Sequence, residues 1–473
     1  MKKVLVFGVF NVLHPGHIRL FRFAKECGDR LIVAVQSDGK SINNEMHMNE
    51  DLRLEMVQSN SYVDQSFLSN ESLEDIVKRV RPDFLVKGRE YENKNNPEYD
   101  VLKSYGGELL FDSGDVAFSS LDFINSDKPN HMEHFEIPYL YMDRHNITSS
   151  DLIDSVKKFS KLNVTVIGDL IVDEYISCDA VGMSQEDPTI VVTPIGQKTF
   201  IGGAGIVASH AAGLGANVNL ISVIGSDEIG DKSKSKLQKS GVNQHLIVDN
   251  HRPTTLKQRY RCEEKTMLRV SRMHKSDVSI EIQNELVKKF EKLMHSTDLL
   301  VFSDFNYGVL PDSVVDKITD LAKKNKVYIV ADSQSSSQVG DISRYKNVDM
   351  LTPTEREARI AMHDHSSGLI VLAEKIIKKT QSQNLLLKLG SDGVIVHAKD
   401  NNEDFLTDRV EALNNTPKDV SGAGDSMLIT SSMLLAVGGS IWEAALLGSI
   451  AAGLQVSKVG NHRLSARELI QTL

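Results

Sequence analysis

The sequence predicts an α/β chain of two domains, each a parallel sheet with helices on its faces, the second carrying a small β lid. Three observations carry that prediction. Short β-branched and aromatic runs alternate with segments of helical spacing. The alternation lapses after residue 125 and restarts near residue 150. At 473 residues, the chain is also too long for a single hydrophobic core.

Taken in order, "KKVLVFGVF" is a buried strand and "GHIRLFRFAKECG" a helix closing on Gly28 as C-cap. "DRLIVAVQSD" is a second strand. "SLEDIVKRVRPDFLVKG" is a helix, a Pro82 stop and a strand, and "GGELLFD" is another strand. "NSDKPNHMEHFEIPYLYMDRHN" has no clear period and reads as linker. "TSSDLIDSVKKF" restarts with a capped helix, and "LNVTVIGDLIVDEY" reads as one buried strand. The strands "NVNLISVIG", "DLLVFSDF", "KVYIVADS", "VDMLTP", "NLLLKLG" and "GVIVHAK" follow, with closing helices near 425–437 and 441–456. "TIVVTPIGQKTFIGG" reads as a polar-faced lid segment. The expected domains are 1–130 and 150–473, joined by a linker over 131–149.

Lys and Arg number 54 against 64 Asp and Glu, a net charge of −10. That balance argues against nucleic-acid or membrane-surface binding, which need a basic face. The cysteines Cys27, Cys178 and Cys262 are odd in number and far apart, which fits a reducing cytoplasm rather than a disulfide framework. The opening "MKKVLVFGVFNVL" imitates a signal peptide, yet no small-residue cleavage site follows. No apolar stretch reaches the roughly 18 residues of a membrane span.

"GVFNVLHPGH", residues 8–17, lies where the first strand ends. Pro15 suits the first position of a helix, which puts His14 about at its N-cap and His17 just inside. Both imidazoles then reach the space before a helix N-terminus, where free N–H groups favour a phosphate. A bare pair of this kind also suits two exposed loop histidines. A metal pair would need the HExxH carboxylate. With "GDRLIVAVQSD", "EDLR", "RPDFLVKGREY", "GGELLFD" and "FSSLDFI" in order, the stretch resembles the HxGH nucleotidyltransferase superfamily, a Rossmann-like fold, over most of residues 1–125. The resemblance implies that His14 and His17 stabilise the transferring α-phosphate and that Gly8, Phe10, Ser119 and Ser120 contact the nucleotide. Lys87 and Arg89, in "VKGREY", would neutralise phosphate charge. Asn11 stands where the family commonly has Asp.

"DVSGAGDSMLI", residues 419–429, is a glycine-rich turn opening a helix. Gly422, Ala423 and Gly424 let successive N–H groups converge on one anion. Asp425 beside such an anion hole suits a general base for an attacking hydroxyl. No Walker A pattern is present. Together with "VIGDLIVDEY", "MSQEDPTIVV", "GGAGIVA", "LGANVNLISVIGSD", "LVFSDFNYGVL" and "MLTPTEREA", the turn resembles the ribokinase-like sugar kinases, and among them the heptose 7-phosphate kinases. This resemblance implies Asp425 as base and Gly422, Ala423 and Gly424 as anion hole. Asp169, Asp173, Gly202 and Gly203 would bind the sugar. Lys388, Gly390 and Gly393 would contact nucleotide, and Glu357 would hold Mg²⁺ through water. Ile206, Thr354, "DSQSS" at 332–336 and Lys388 depart from the family pattern.

The two resemblances together match the bifunctional heptose kinase/adenylyltransferase family with the domain order reversed. They imply ATP-dependent phosphorylation of a heptose 7-phosphate-like sugar at its anomeric hydroxyl, then nucleotidyl transfer to the 1-phosphate. AMP is preferred over CMP, pyrophosphate is released, and a homodimer forms through the lid. The departures also leave open a polyol-phosphate cytidylyltransferase fused to a sugar-sensing or dimerising kinase domain.

Overall fold

A computed structural model describes residues 2–10, 13, 15–38, 48–88, 91, 96–112, 137–262, 265–335, 338–399, 405–414 and 416–473. The described residues form two compact units, one from Met1–Asn130 with Met362–Ile376, the other from His131–Ala361 with Ile377–Leu473. The mixed α/β architecture read from the sequence is present in both.

In the first unit, five parallel strands are ordered β3-β2-β1-β4-β5: β1 Lys3–Gly8, β2 Arg30–Gln36, β3 Gln65–Ser69, β4 Phe84–Gly88 and β5 Glu108–Asp112. Alternate side chains feed two cores, as the pleat requires. Val4, Val6, Val33, Val35 and Val86 meet Phe21 and Phe23 of the helix Pro15–Cys27. On the other face Leu5, Ile32, Ala34 and Leu85 meet Ile76 and Val77 of the helix Leu73–Val80. Gly28 follows the first helix without a left-handed conformation, contrary to the C-cap expected. Its missing side chain matters for another reason: a Cβ there would lie 2.6 Å from Val4 Cγ2 and 3.0 Å from the Lys2 carbonyl.

The second unit holds a nine-stranded sheet and a four-stranded one. The large sheet is ordered β10-β9-β6-β13-β14-β15-β16-β17-β18, antiparallel only across its last two pairings. Its strands are β6 Asn163–Gly168, β9 Asn217–Gly225, β10 Asn243–Asp249, β13 Leu299–Asp304, β14 Tyr328–Ser333, β15 Met350–Leu351, β16 Asn384–Lys388, β17 Val394–Lys399 and β18 Phe405–Val410. The small sheet, β12-β11-β7-β8, comprises β7 Leu170–Met183, β8 Ile190–Gly203, β11 Thr255–Cys262 and β12 Lys265–Arg272.

"LNVTVIGDLIVDEY" is therefore two strands in two sheets, broken at Asp169. Gly168 packs so closely on β13 that a Cβ would lie 1.8 Å from the Ser303 carbonyl oxygen. The lid, expected from one segment, needs four strands, joined by three pairings of seven residue pairs or more. The helices Ala204–Gly213, Ala423–Ala436 and Ile441–Val456 are apolar on every side and buried, as central helices are. From Ile137 onward the segment read as linker is packed: Tyr141 is buried in this unit's core and its hydroxyl donates to the Trp442 carbonyl at 3.0 Å. Among the described residues, no helix is long and apolar enough to cross a membrane.

Candidate active sites

In the first unit β1 is the strand at which the order reverses, and ligands of such sheets sit outside the strand ends at that point. β1 and β4 run in register, from Val4 beside Phe84 to Val6 beside Val86. Phe10 then adopts a left-handed conformation, φ +51°, that a bulky residue rarely takes. Its buried ring is the reason: it packs on Phe21 and edge-on against His17, both at 5.2 Å between centroids. A Cβ on Gly8 would come within 2.9 Å of that ring. His17 is the third residue of its helix, as expected.

Arg53, quoted in the sequence only as a matching residue, is fully buried. Its guanidinium donates to the carbonyls of Val9 and Gln36 and pairs with Asp38, tying together the ends of β1 and β2. Lys87 is paired with the buried Glu98 at 2.5 Å and donates to Asn96. Its charge is thus balanced within the protein, and the expected phosphate contact would need that pair to open. His14, Arg89, Ser119 and Ser120, like Asn11, lie outside the described residues.

In the second unit a cavity of about 660 Å³ collects Asp425, Gly422, Ala423, Gly424, Lys388, Gly390, Gly393, Glu357, Asp173 and Gly203. Two expected residues are absent from its lining. Asp169 is buried beneath it, its carboxylate accepting the N–H groups of Phe305, Tyr307 and Val309 at 2.8, 3.2 and 3.4 Å. These bonds hold the turn after β13. Burial, then the neighbouring Asp304, pushes its pKa up to about 7. Gly202 leaves room for Asp173: a Cβ there would lie 2.4 Å from that carboxylate.

Asp425 sits in the first turn of the helix Ala423–Ala436, entered through Gly422 at φ +79°. Only glycine takes that conformation without strain. Burial, and secondly the Asp332 carboxylate, raises Asp425 to about 7. Gln334 Nε2 donates to Asp425 Oδ1 at 2.8 Å. Asp332, raised to about 6 mainly by burial, receives Lys388 Nζ at 3.1 and 3.0 Å. Burial alone would lower Lys388; the Asp332 and Glu357 carboxylates outweigh it and hold the ammonium charged.

Glu357 has a local structural duty. With Thr354 it forms a reciprocal cap: Thr354 N–H donates to Glu357 Oε2 at 2.7 Å, and Glu357 N–H to Thr354 Oγ1 at 3.3 Å. Its other oxygen accepts the Ser335 N–H at 2.8 Å. The departures Thr354 and Ile206 are accounted for by this cap and by core packing, Ile206 being buried in the helix Ala204–Gly213.

Sequence reasoning missed the lid's contribution. Lys257, Arg259 and Arg261 alternate along β11, a period-two row of cations that the string "TLKQRYRC" displays. Lys257 and Arg259 line the cavity. Lys257 lies over the rings of Phe305 and Tyr307 at 5.1 and 5.2 Å. Arg259 is 3.6 Å from Asp173 and donates to Ser421 Oγ at 3.1 Å, joining the lid to the glycine-rich turn. Burial raises Asp173 against the pull of these two cations.

A glycine turn, a buried carboxylate and a cation-lined lid around one cavity define a small-molecule phosphotransferase site. The chain belongs to the pfkB family of carbohydrate kinases, whose family model matches residues 161–466. A second model, cytidylyltransferase-like, matches residues 5–110. Among curated proteins the chain is similar to the "Bifunctional protein HldE" of Desulfatibacillum aliphaticivorans, 33% identical over 333 residues, covering 69% of this chain and 65% of that protein. The protein of the same name from Aliarcobacter butzleri is 31% identical over 317 residues, covering 66% and 64%. The chain thus spans just under two thirds of the length of these relatives. Among solved structures, Arabidopsis thaliana ribokinase complexed with ribose and ATP has a TM-score of 0.53 at 17% identity, covering 66% of this chain and 98% of that one. Escherichia coli phosphofructokinase-2 in complex with substrates and products has a TM-score of 0.55 at 16% identity, covering 66% and 97%. These two likenesses concern the fold.

Proposed function

We propose that the protein is a bifunctional enzyme of nucleotide-sugar synthesis. Its second unit phosphorylates a sugar phosphate, of the heptose 7-phosphate kind, at the anomeric hydroxyl with ATP. Its first unit then transfers a nucleotidyl group, AMP in preference to CMP, to the sugar 1-phosphate and releases pyrophosphate.

The observation that carries this reading is Asp425, a buried carboxylate at the mouth of a glycine-rich helix start inside a 660 Å³ cavity. The acceptor hydroxyl gives its proton to Asp425 as its oxygen bonds to the γ-phosphorus. The bond to the β-phosphate oxygen breaks and its electron pair leaves with ADP. Lys257 and Arg259 favour an acceptor that already bears a phosphate. Asp173 and Gly203 border the same cavity and are the residues proposed to orient the sugar. Gly390 and Gly393, at the turn from β16 to β17, border the nucleotide end.

In the first unit, His14 and His17 would stabilise charge on the transferring α-phosphate, with Gly8, Phe10, Ser119, Ser120, Lys87 and Arg89 as the proposed nucleotide and phosphate contacts. The donor set suits Mg²⁺ arriving with the nucleotide: Glu357 is one cavity-lining carboxylate, both of whose oxygens already accept a backbone N–H, so it fits an ion held through water. When bound, that ion neutralises phosphate charge.

A homodimer through the lid, in the cytoplasm, completes the proposal. The lid strands expose Val181, Met183, Ile190, Ile195 and Leu268, apolar side chains that a partner could cover. The test is phosphorus NMR of the full chain with Mg²⁺, ATP, CTP and a panel of sugar phosphates. An anomeric phosphate followed by pyrophosphate and a nucleotide-sugar diester is expected. Phosphorylation away from the anomeric position, or pyrophosphate from a polyol phosphate and CTP alone, would replace this reading with a cytidylyltransferase carrying an unrelated kinase domain.

A further inference from the structure

We propose that the Lys388 ammonium is a catalytic cation that meets the transferring phosphoryl group, and that Asp332 is the residue that positions it. This deepens the kinase reading and rests on it. Lys388 ends β16, where its N–H donates to the Pro353 carbonyl at 2.8 Å, and its strand pairs with Thr354. A lysine at a strand end ordinarily reaches into water. This one is 9% exposed and lines the cavity.

On one side its Nζ meets both oxygens of Asp332. On another it faces Gly424: a Cβ there would lie 3.2 Å from Nζ. Gly424 is the second residue of the helix Ala423–Ala436, whose first N–H groups have no acceptor within the helix and whose N-terminus carries partial positive charge. A full positive charge and a partial one therefore converge on one point of the cavity. Their mutual repulsion is relieved when an anion enters between them, and the geometry is that of a phosphoryl seat.

The adjacent carboxylates explain why a lysine can wait there. Asp332 compensates the buried charge while the site is empty, and the flexible stem lets Nζ turn from Asp332 to a phosphoryl oxygen. Gln334 bridges the same carboxylate to the base, donating to Asp425 at 2.8 Å and lying 3.3 Å from Asp332. Its own N–H is held by the Asp304 carbonyl at 2.8 Å. In the transfer step Lys388 neither gains nor loses a proton. It stabilises the charge spread over the phosphoryl oxygens, where a threonine would offer only a hydroxyl dipole.

The experiment is calorimetric binding of Mg-ATP and Mg-ADP to the full chain, beside kinase kinetics with the sugar phosphate. Wild type should hold ATP about tenfold tighter than ADP through the charged contact. Lys388→Met should erase that preference while ADP affinity stays, and lower kcat at least ~100-fold with the acceptor KM unchanged. Lys388→Arg should restore part of both. Lys388→Met with Asp332→Asn removes both buried charges, which guards against misfolding around an orphaned carboxylate, and should show the same lost preference. Asp332→Asn alone should lower kcat and weaken the ATP preference while ADP affinity stays, which a merely structural role would not move. An ATP preference and a kcat within about threefold of wild type in both methionine variants would overturn the proposal. A Lys388-dependent ATP preference in a protein that phosphorylates no sugar phosphate would instead support the phosphate contact and reject the kinase reading.

Discussion

The two helix beginnings reach a similar end by different means. At Pro15 the chain turns through Phe10, a bulky residue in a left-handed conformation, held by Phe21 and His17 and backed by the buried Arg53 clamp. At Ala423 the turn is built of small residues, Gly422 to Gly424, and the charge is supplied around it by Asp425, Asp332 and Lys388. The first cradle is shaped by packing, the second by backbone freedom and buried charge. Packing tolerates little movement. Buried charge makes the second site sensitive to pH and to the loss of any one partner.

Substitutions can break this contrast. The largest effect is expected from Asp425→Asn. It keeps an acceptor for Gln334 but removes the base, so sugar phosphorylation should fall about 10²–10⁴-fold in a coupled ADP assay. Nucleotidyl transfer to supplied sugar 1-phosphate, followed by pyrophosphate release, should stay within about twofold, given separate sites. His17→Ala should do the reverse, lowering pyrophosphate release about 10²–10³-fold and sparing ADP formation.

The pH dependence sharpens the contrast. As the proposed base, Asp425 would act only when ionised, and burial raises its pKa to about 7. Kinase kcat should therefore rise with pH, close to tenfold per unit well below about 7, and level off above. A flat profile from pH 5 to 9 would remove Asp425 from the base's role. For the packed cradle the readout is stability, and the smallest difference is between two substitutions at one position. Phe10→Ala should cost about 3–5 kcal/mol in denaturant unfolding. Phe10→Gly should cost roughly 1 kcal/mol less, because glycine relieves the left-handed strain that alanine retains.

Much of this was legible in the sequence, and the exceptions share a cause. β1, β2, β4 and β5 and the helices after residue 420 were visible because their apolar runs end at clear turn residues. The glycine turn and Asp425 stood out through the motifs that accompany them, since an acidic residue in the first turn of a helix is common on its own. The break at Asp169 was invisible: the strand "LNVTVIGDLIVDEY" is apolar on both sides of it, and only the approach of Ser303 shows why the chain changes sheet. The contacts of Asp169 were invisible too, because the three N–H groups it accepts come from residues 305–309, more than a hundred positions away. Glu357 was read for metal, while its partnership with Thr354 was visible as T-x-x-E. The β11 cations were legible too, since alternation at every second residue marks one face of a strand. The Asp332–Lys388 pair was not: two side chains from different strands announce no spacing.

The central claim is that two separate phosphate cradles act on one sugar. Phosphorus NMR of Asp425→Asn and His17→Ala, each supplied with the sugar phosphate, ATP and Mg²⁺, tests it most directly. The account predicts that the first variant leaves the substrate without an anomeric phosphate, while the second accumulates the sugar 1-phosphate and forms no pyrophosphate. A His17→Ala protein that still releases pyrophosphate, or an Asp425→Asn protein that still builds the anomeric phosphate, would contradict it.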